Sequence, residues 1–590
     1  MIIAKQMNTS PPKPDQKPWI EWVILLSISL LFILYNYYLL FYTGSILKGD
    51  AAEHAYKSVL AFQSLKQFNI PQFCWGDNFY PPLMYQISAL EYFFFKPGMI
   101  SVALSQFPYW AVLIFSLYGI GKRLFSPLTG YLAVFYFLTM PLTVLWSYQY
   151  MLDLPASAML ALVFYLLLQS DNFKNGWYSR WCGIVLALGM LTKWWVGYLL
   201  LGPILVYLVY LPCAYLKNNG FRLLFFLLLG GLLAIFVKVG YLFKNGLYPM
   251  VFQHFWWFIL VSVMESLALW LAFYGLFVWA ENCGEIVPEN RAAMMNFLAA
   301  MTLAMLFCGW LYFNPHFALL HGDLFAMGAA GSILPWPSWG YYPAALWITA
   351  LRGIYLPMFL IGLAVFGFKG LKNFSGKIFW FTLLSSFALL IIMPNKQERY
   401  LLPWLVLASP LAVFWFEYLK RFKVIPIIIL LAIGLLHAFC FLPPLARVCE
   451  TRPLPVWLVH GNPSLLNIRE NMVIDEPGIR KFLAPLPQKG ETVFIFIQND
   501  NPVGDNFIKM PILFWSLNLD LLEQTSMGAY QYVIYSLKTG EPQSRFVQNV
   551  KHQREFLEDV VNYDFQVLSR YPFAKHGFDI FLARVRPKRR

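Results

Sequence analysis

The sequence predicts a polytopic α-helical membrane protein carrying a soluble α/β domain after its last span. Three observations predict it. Apolar residues make up 59% of the 590 and charged residues only 13%, where ordinary soluble chains hold about 45–50% and about 25%. The apolar residues come in runs near the roughly 20 that a helix needs to cross a hydrocarbon core. The composition then changes at Pro444, beyond which charges, Asn and Gln return.

The elements follow in chain order. Lys5, Lys13 and Lys17 precede a first apolar run, Trp19 to Tyr42. It is too long for a signal-peptide core, and no small-residue cleavage site follows, so it reads as an uncleaved span. Further spans are predicted at roughly 100–121, 127–147, 154–170, 181–192, 195–212, 222–242, 253–280, 292–313, 353–369, 377–393, 400–417 and 424–443, about thirteen in all. The stretch 181–212 reads either as two short spans or as one bent one. Basic residues gather in alternate loops: Lys122 and Arg123, Lys174 and Arg180, Lys217 and Arg222, Lys369, Lys372 and Lys377, then Lys420, Arg421 and Lys423. The positive-inside bias makes these loops and the 1–18 tail cytoplasmic. One cytoplasmic loop, 281–291, is acidic, but acidic residues weigh little in that rule. A multi-pass place in the plasma or inner membrane, among its lipids, is therefore expected. The same bias accounts for the net charge of +14, so no nucleic-acid partner is expected. Aromatics at 19% suit interfacial belts repeated over many spans. The seven cysteines follow no zinc or disulfide spacing. Cys74 and Cys449 both fall on the oxidising side, with their pairing left open.

Two outer loops are long, 43–99 and 314–352, and long ordered loops tend to be functional. Ala51 to Phe68 has helical spacing and is expected to lie on the membrane surface. The membrane domain thus covers 19–443 and the extracytoplasmic domain 444–590. In the latter, Val493–Ile497, Tyr532–Tyr535 and Phe578–Val585 read as strands and Arg545–Val561 as a helix. Gly504 and Gly540 stand alone, so no phosphate-cradling loop is visible.

Candidate chemistry sits at the outer ends of spans. In L-K-G-D-A-A-E-H, Leu47 to His54, a helix would put Asp50, Glu53 and His54 on one face. Asp50 and Glu53 also fit a helix-capping pair. In Y-M-L-D-L-P, Asp153 precedes the fourth span, and it too can be read as a cap, with Pro155 in the first turn. Two carboxylates at the outer ends of separate spans can converge on one site. In N-K-Q-E-R-Y-L-L-P, Lys396 and Arg399 lie where the positive-inside bias disfavours them. They read as a snorkelling pair or as a phosphate clamp, for which the forked guanidinium is suited. Lys193 in L-T-K-W-W is a second phosphate contact or a snorkelling lysine. His254 in Q-H-F-W-W reads as an aromatic-belt residue rather than a base.

Together these stretches resemble the membrane-embedded GT-C glycosyltransferases, in the branch with protein O-mannosyltransferases and the lipid A aminoarabinose transferase. Four motifs match in order: the acidic start of the first outer loop at Asp50 with its later Y-P-P-L (Tyr80 to Leu83), L-D-L-P opening the fourth span, L-T-K-W after it, and R-Y-L-L-P (Arg399 to Pro403). The number of spans and the outer C-terminal domain look alike too. The resemblance covers 19–443, and the last domain by position only. Two departures stand out. Many members have adjacent Asp-Glu where this chain has D-A-A-E, and protein mannosyltransferases have H-P-P-L where this chain has Y-P-P-L.

The resemblance implies an inverting glycosyltransferase that moves a sugar from a polyprenyl-phosphate donor to a lipid, glycan or protein acceptor outside the cytoplasm. Such a reaction needs a base for the acceptor hydroxyl and cations for the developing phosphate charge. Asp50 is assigned as base and Asp153 as the residue that orients acceptor or base. Arg399, Lys396 and Lys193 go to the phosphate, with Glu53, His54 and Tyr400 as further substrate contacts. No metal is required by this scheme, although an acidic pair can recruit a divalent ion. The rival readings are a polymerase or ligase of lipid-linked glycans and a transporter or flippase. A transporter would carry charges near the bilayer midplane; Lys238 and Glu265 are the midspan candidates.

Overall fold

The computed structural model describes residues 18–43, 49–75, 80–95, 97, 99–228, 255–284, 287, 291–312, 336–351, 353–369, 374–393, 396–440, 481–485, 489–496, 518–520, 531–538, 562–573 and 578–587. The protein is an α-helical bundle followed by a small mixed sheet. The bundle opens with α1 (Pro18–Thr43). The segment after it holds α2 (Gly49–Lys66), α3 (Ile70–Trp75), α4 (Leu83–Glu91) and α5 (Met99–Leu104). Then come α6 (Phe107–Leu124), α7 (Pro127–Thr139), α8 (Pro141–Ser147), α9 (Asp153–Gln169), α10 (Gly176–Thr192), α11 (Trp195–Leu199) and α12 (Leu201–Tyr215). After α13 (Asn219–Leu228) the bundle continues with α14 (Phe255–Asn282), α15 (Arg291–Tyr312), α16 (Trp336–Ala345), α17 (Tyr355–Lys369), α18 (Phe374–Ile392), α19 (Leu402–Val413) and α20 (Val424–Cys440).

Each predicted span overlaps a helix, 222–242 only in its first part, because 229–242 lie outside the described residues. Three described helices are long and apolar enough to cross a membrane: Trp19–Leu39, Arg291–Gly309 and Phe374–Ile392. A fourth span is formed if α7 and α8, bent by 66°, count as one. Several other apolar helices are shorter, such as Asp153–Gln169 and Leu201–Tyr215. The shortening has a local cause. Chain breaks fall at Met140 before Pro141, at Lys193 and at Leu200, where the backbone leaves the helical region. The stretch 181–212 is thus not two spans meeting at a simple turn but α10, a break, the short α11 and then α12.

Local chemistry explains the helix starts. The Ser126 hydroxyl accepts from the Thr129 amide ahead of Pro127, which needs no amide partner at the first helical position. The Asn175 side chain accepts from the amides of Trp177 and Tyr178. The break between α7 and α8 leaves the Thr139 carbonyl exposed inside the bundle. The Tyr355 hydroxyl donates to it at 2.8 Å and His437 Nδ1 lies 3.0 Å away. Small residues let backbones approach. A Cβ on Gly183 would meet the Ala300 carbonyl, and one on Gly362 the Leu411 carbonyl.

The C-terminal strands are β1 (Lys489–Phe496), β2 (Asn518–Asp520), β3 (Tyr532–Lys538), β4 (Tyr563–Phe573) and β5 (Phe578–Pro587), in sheet order β2-β1-β3-β5-β4. β1 pairs parallel with β2 and β3, while β5 pairs antiparallel with β3 and β4. Three of these strands match the sequence reading. The predicted helix 545–561 lies outside the described residues.

Candidate active site

Three charged side chains meet at one end of the bundle. Asp153 opens α9. Lys193 follows α10 with an extended backbone, φ −159° and ψ 129°, which turns the chain there. Arg399 lies in the 3-10 turn Glu398–Leu401 that leads into α19. Lys193 Nζ donates to Asp153 Oδ1 at 2.7 Å, and Arg399 Nε stands 3.6 Å from Oδ2. All are nearly buried: the Asp153 side chain is 3% exposed, Lys193 8% and Arg399 9%. Aromatic rings line them. Lys193 Nζ is 4.9 Å from the Tyr400 ring centre and 5.5 Å from that of Trp195, and the Arg399 guanidinium is 5.6 Å from both Trp146 and Tyr400. Burying a charge costs several kcal/mol unless it is paired. Within the trio one carboxylate faces two cations, and the ring faces beside them attract cationic charge as well.

The second part of the site comes from the first loop. Ala51, Ala55 and Val59 of α2 share one buried core cluster with Met84 of α4 and with Tyr150, Met151 and Leu152, the residues leading into Asp153. Buried hydroxyls fix this packing: Tyr150 to Ser88 at 2.5 Å, Ser88 to Ser105 at 2.9 Å and Ser58 to Tyr92 at 2.8 Å. His54, on α2, is buried with Nδ1 2.8 Å from the Tyr85 hydroxyl and its ring edge-on to Tyr80 at 4.8 Å. Burial holds its pKa well below the ordinary imidazole value, and the fields of Lys57, Lys193 and Arg399 lower it further. His54 therefore sits neutral among cations from both parts of the site.

Asp50 is the second residue of α2, inside the helix rather than ahead of it; its side chain lies outside the described atoms. Glu53 turns to Lys57, 2.6 Å away, rather than back to the helix start. Lys396 is used elsewhere. It donates to the carbonyls of Leu390 and Ile391 at the end of α18 and stands 5.2 Å from the Tyr342 ring centre. His254 and Lys238 lie outside the described residues, as does Cys449, while Cys74 carries a free thiol. Among the described residues no three His, Cys, Asp or Glu side chains gather as metal ligands would. Sequence reasoning missed Lys57, Tyr85, Trp146 and Trp195. Lys57 had a visible signal, being four residues after Glu53 on the face already singled out.

Residues 80–241 match the family model of dolichyl-phosphate-mannose-protein mannosyltransferases. The chain thus resembles a GT-C membrane glycosyltransferase, as its motifs imply. The matched mannosyltransferase stretch begins at the Y-P-P-L motif and contains Asp153 and Lys193; Asp50 and Arg399 lie outside it. Among solved structures, ArnT from Cupriavidus metallidurans bound to undecaprenyl phosphate is similar, at TM-score 0.47 and 12% identity, over 96% of this chain and 98% of that one. The oligosaccharyltransferase of Archaeoglobus fulgidus in its apo form is similar at TM-score 0.43 and 12% identity, over 94% of this chain and 74% of that one. No curated protein matches the sequence.

Proposed function

We propose that the protein transfers a sugar from a polyprenyl-phosphate donor to an acceptor on the extracytoplasmic side of the membrane. The observation that carries this reading is the buried Asp153–Lys193–Arg399 trio, two cations on one carboxylate at the ends of apolar helices. A lipid-linked phosphate enters such a site from the bilayer with its tail still in lipid. The matched family's description, a mannosyltransferase using a dolichyl phosphate, supports the same donor class. The charges of this trio stand at helix ends rather than midway along helices, which favours transfer over transport, although Glu265 lies within α14.

In the reaction the acceptor hydroxyl attacks the sugar carbon and its proton passes to the Asp50 carboxylate. The bond from that carbon to the phosphate oxygen breaks, and the electron pair stays on the phosphate, so configuration inverts. Lys193 and Arg399 take up the charge that grows on the leaving phosphate. Asp153 holds both cations in place and keeps them from binding the ground-state phosphate too tightly. This gives Asp153 the role of counter-ion to the phosphate cations, in place of the acceptor-orienting role expected from sequence. Lys396, engaged at the end of α18, is left out of the phosphate contacts.

The test is transfer from a polyprenyl-phosphate sugar to acceptor, with the full-length protein in detergent. Asp50→Asn removes the base and retains the shape. General-base catalysis contributes about 10²–10⁴-fold, so the rate should fall by at least about a hundredfold with thermal stability unchanged. Turnover near that of the wild type would refute the base assignment.

A further inference from the structure

We infer that Lys57 is a further phosphate-binding cation, reaching the same anion from α2 as Lys193 and Arg399 do from the bundle. The inference rests on the polyprenyl-phosphate reading above and deepens it. Asp50, Glu53, His54 and Lys57 fall at i, i+3, i+4 and i+7, one stripe of α2. The lysine side chain is only 10% exposed, whereas its partner Glu53 is 43% exposed. A lysine serving only to pair with a carboxylate along a helix normally leaves its head in water. Here the ammonium is drawn inward instead, 4.8 Å from the centre of the Tyr80 ring. That ring stands edge-on to His54. The neutral His54 lies in the fields of Lys57, Lys193 and Arg399 together, and Arg399 stands 3.7 Å from the sulfur of Met151, which shares a core cluster with Ala55, the residue after His54. Tyr80 also opens the family-matched stretch as the first residue of Y-P-P-L. Lys57 thus lies beside that motif, on a helix that precedes the match.

The chemistry separates this role from simple helix support. A compact ammonium binds phosphate as a point charge, and a charge-assisted hydrogen bond to it is among the stronger polar contacts. Glu53 would then hold Lys57 extended while the site is empty and compete with the phosphate for it.

The experiment measures binding of farnesyl phosphate, with inorganic phosphate as the headgroup alone, to the full-length protein in detergent at fixed ionic strength. Lys57→Met should weaken farnesyl phosphate binding by about ten- to a hundredfold, and Lys57→Arg by no more than about threefold. Glu53→Gln should bind as tightly as the wild type or more tightly. Lys66→Met, which removes the same charge from an exposed position of α2, should bind as the wild type does. Thermal melting checks that each variant is folded. If Lys57→Met binds like the wild type while Arg399→Ala is weakened tenfold, the inference fails and the phosphate reading stands. If Glu53→Gln is weakened as much as Lys57→Met, the pair only supports the helix, and the inference again fails. If Arg399→Ala also binds like the wild type, it is the phosphate reading itself that fails.

Discussion

The two ends of the bundle both carry buried or half-buried charge, and they handle it differently. At the end where α6 finishes and α7 begins, Glu21 and Glu417 both have partners. Lys122 reaches Glu21 at 2.5 Å, with the lysine 35% exposed, and Glu417 accepts from the Ser126 and Thr129 hydroxyls. Those contacts tie α1 to α6, and the start of α7 to the turn after α19. At the other end Asp153 serves both Lys193 and Arg399, and all three are less than a tenth exposed. Matched charge near water is architecture. Buried cationic charge gathered around Asp153 and lined by Trp146, Trp195 and Tyr400 is the arrangement that the proposed phosphate site uses.

Substitutions at the two ends should sharpen or break this contrast. The largest effect is expected from Asp153→Asn. It leaves two buried cations without their carboxylate, and breaking a buried pair costs about 3–5 kcal/mol. A phosphate can take the place of the lost carboxylate, so added farnesyl phosphate should raise the melting temperature of Asp153→Asn more than that of the wild type. An equal or smaller rise would show that the trio does not see the phosphate. At the opposite end Glu417→Gln removes a charged acceptor from two hydroxyls and should cost about 1–3 kcal/mol, with a farnesyl phosphate response unchanged from the wild type. Glu21→Gln should cost less than about 1 kcal/mol, because its partner is a third exposed and well screened, and salt should shrink the loss further.

The sequence made the bundle legible because hydropathy runs are local signals. The same holds for the strands around Val493, Tyr532 and Phe578. β4 was missed because its pairing with β5 slips between Val567 and Ser569, which interrupts the alternation a strand is read by. The site was legible as residue types but not as partners. Asp153, Lys193 and Arg399 each stood out, yet nothing local tells that Lys193 turns back 40 residues to Asp153, or that Lys396, three residues from Arg399, faces the end of α18 instead. Nor does the stripe Asp50–Glu53–His54 show by itself that His54 will be sealed against Tyr80 and Tyr85.

The smallest effect expected is that of pH through His54. Its folded pKa lies below the ordinary 6.5. Between those values the unfolded chain takes up a proton that the folded chain refuses, so stability is full above about pH 6.5 and declines as the pH falls below it. Melting temperature followed from pH 8 to pH 5 should decline more steeply for the wild type than for His54→Gln. Parallel curves would place His54 in contact with water.

The central claim, that the buried cations receive the donor's phosphate, is tested most directly by steady-state transfer with Arg399 variants. The phosphate is charged in the donor and gains charge in the transition state, so Arg399→Ala should raise the KM for the donor and lower kcat together. Arg399→Lys should recover only part of the loss, since an ammonium cannot reproduce the two-pronged contact of the guanidinium. A folded Arg399→Ala protein with the donor KM and kcat of the wild type would contradict the account.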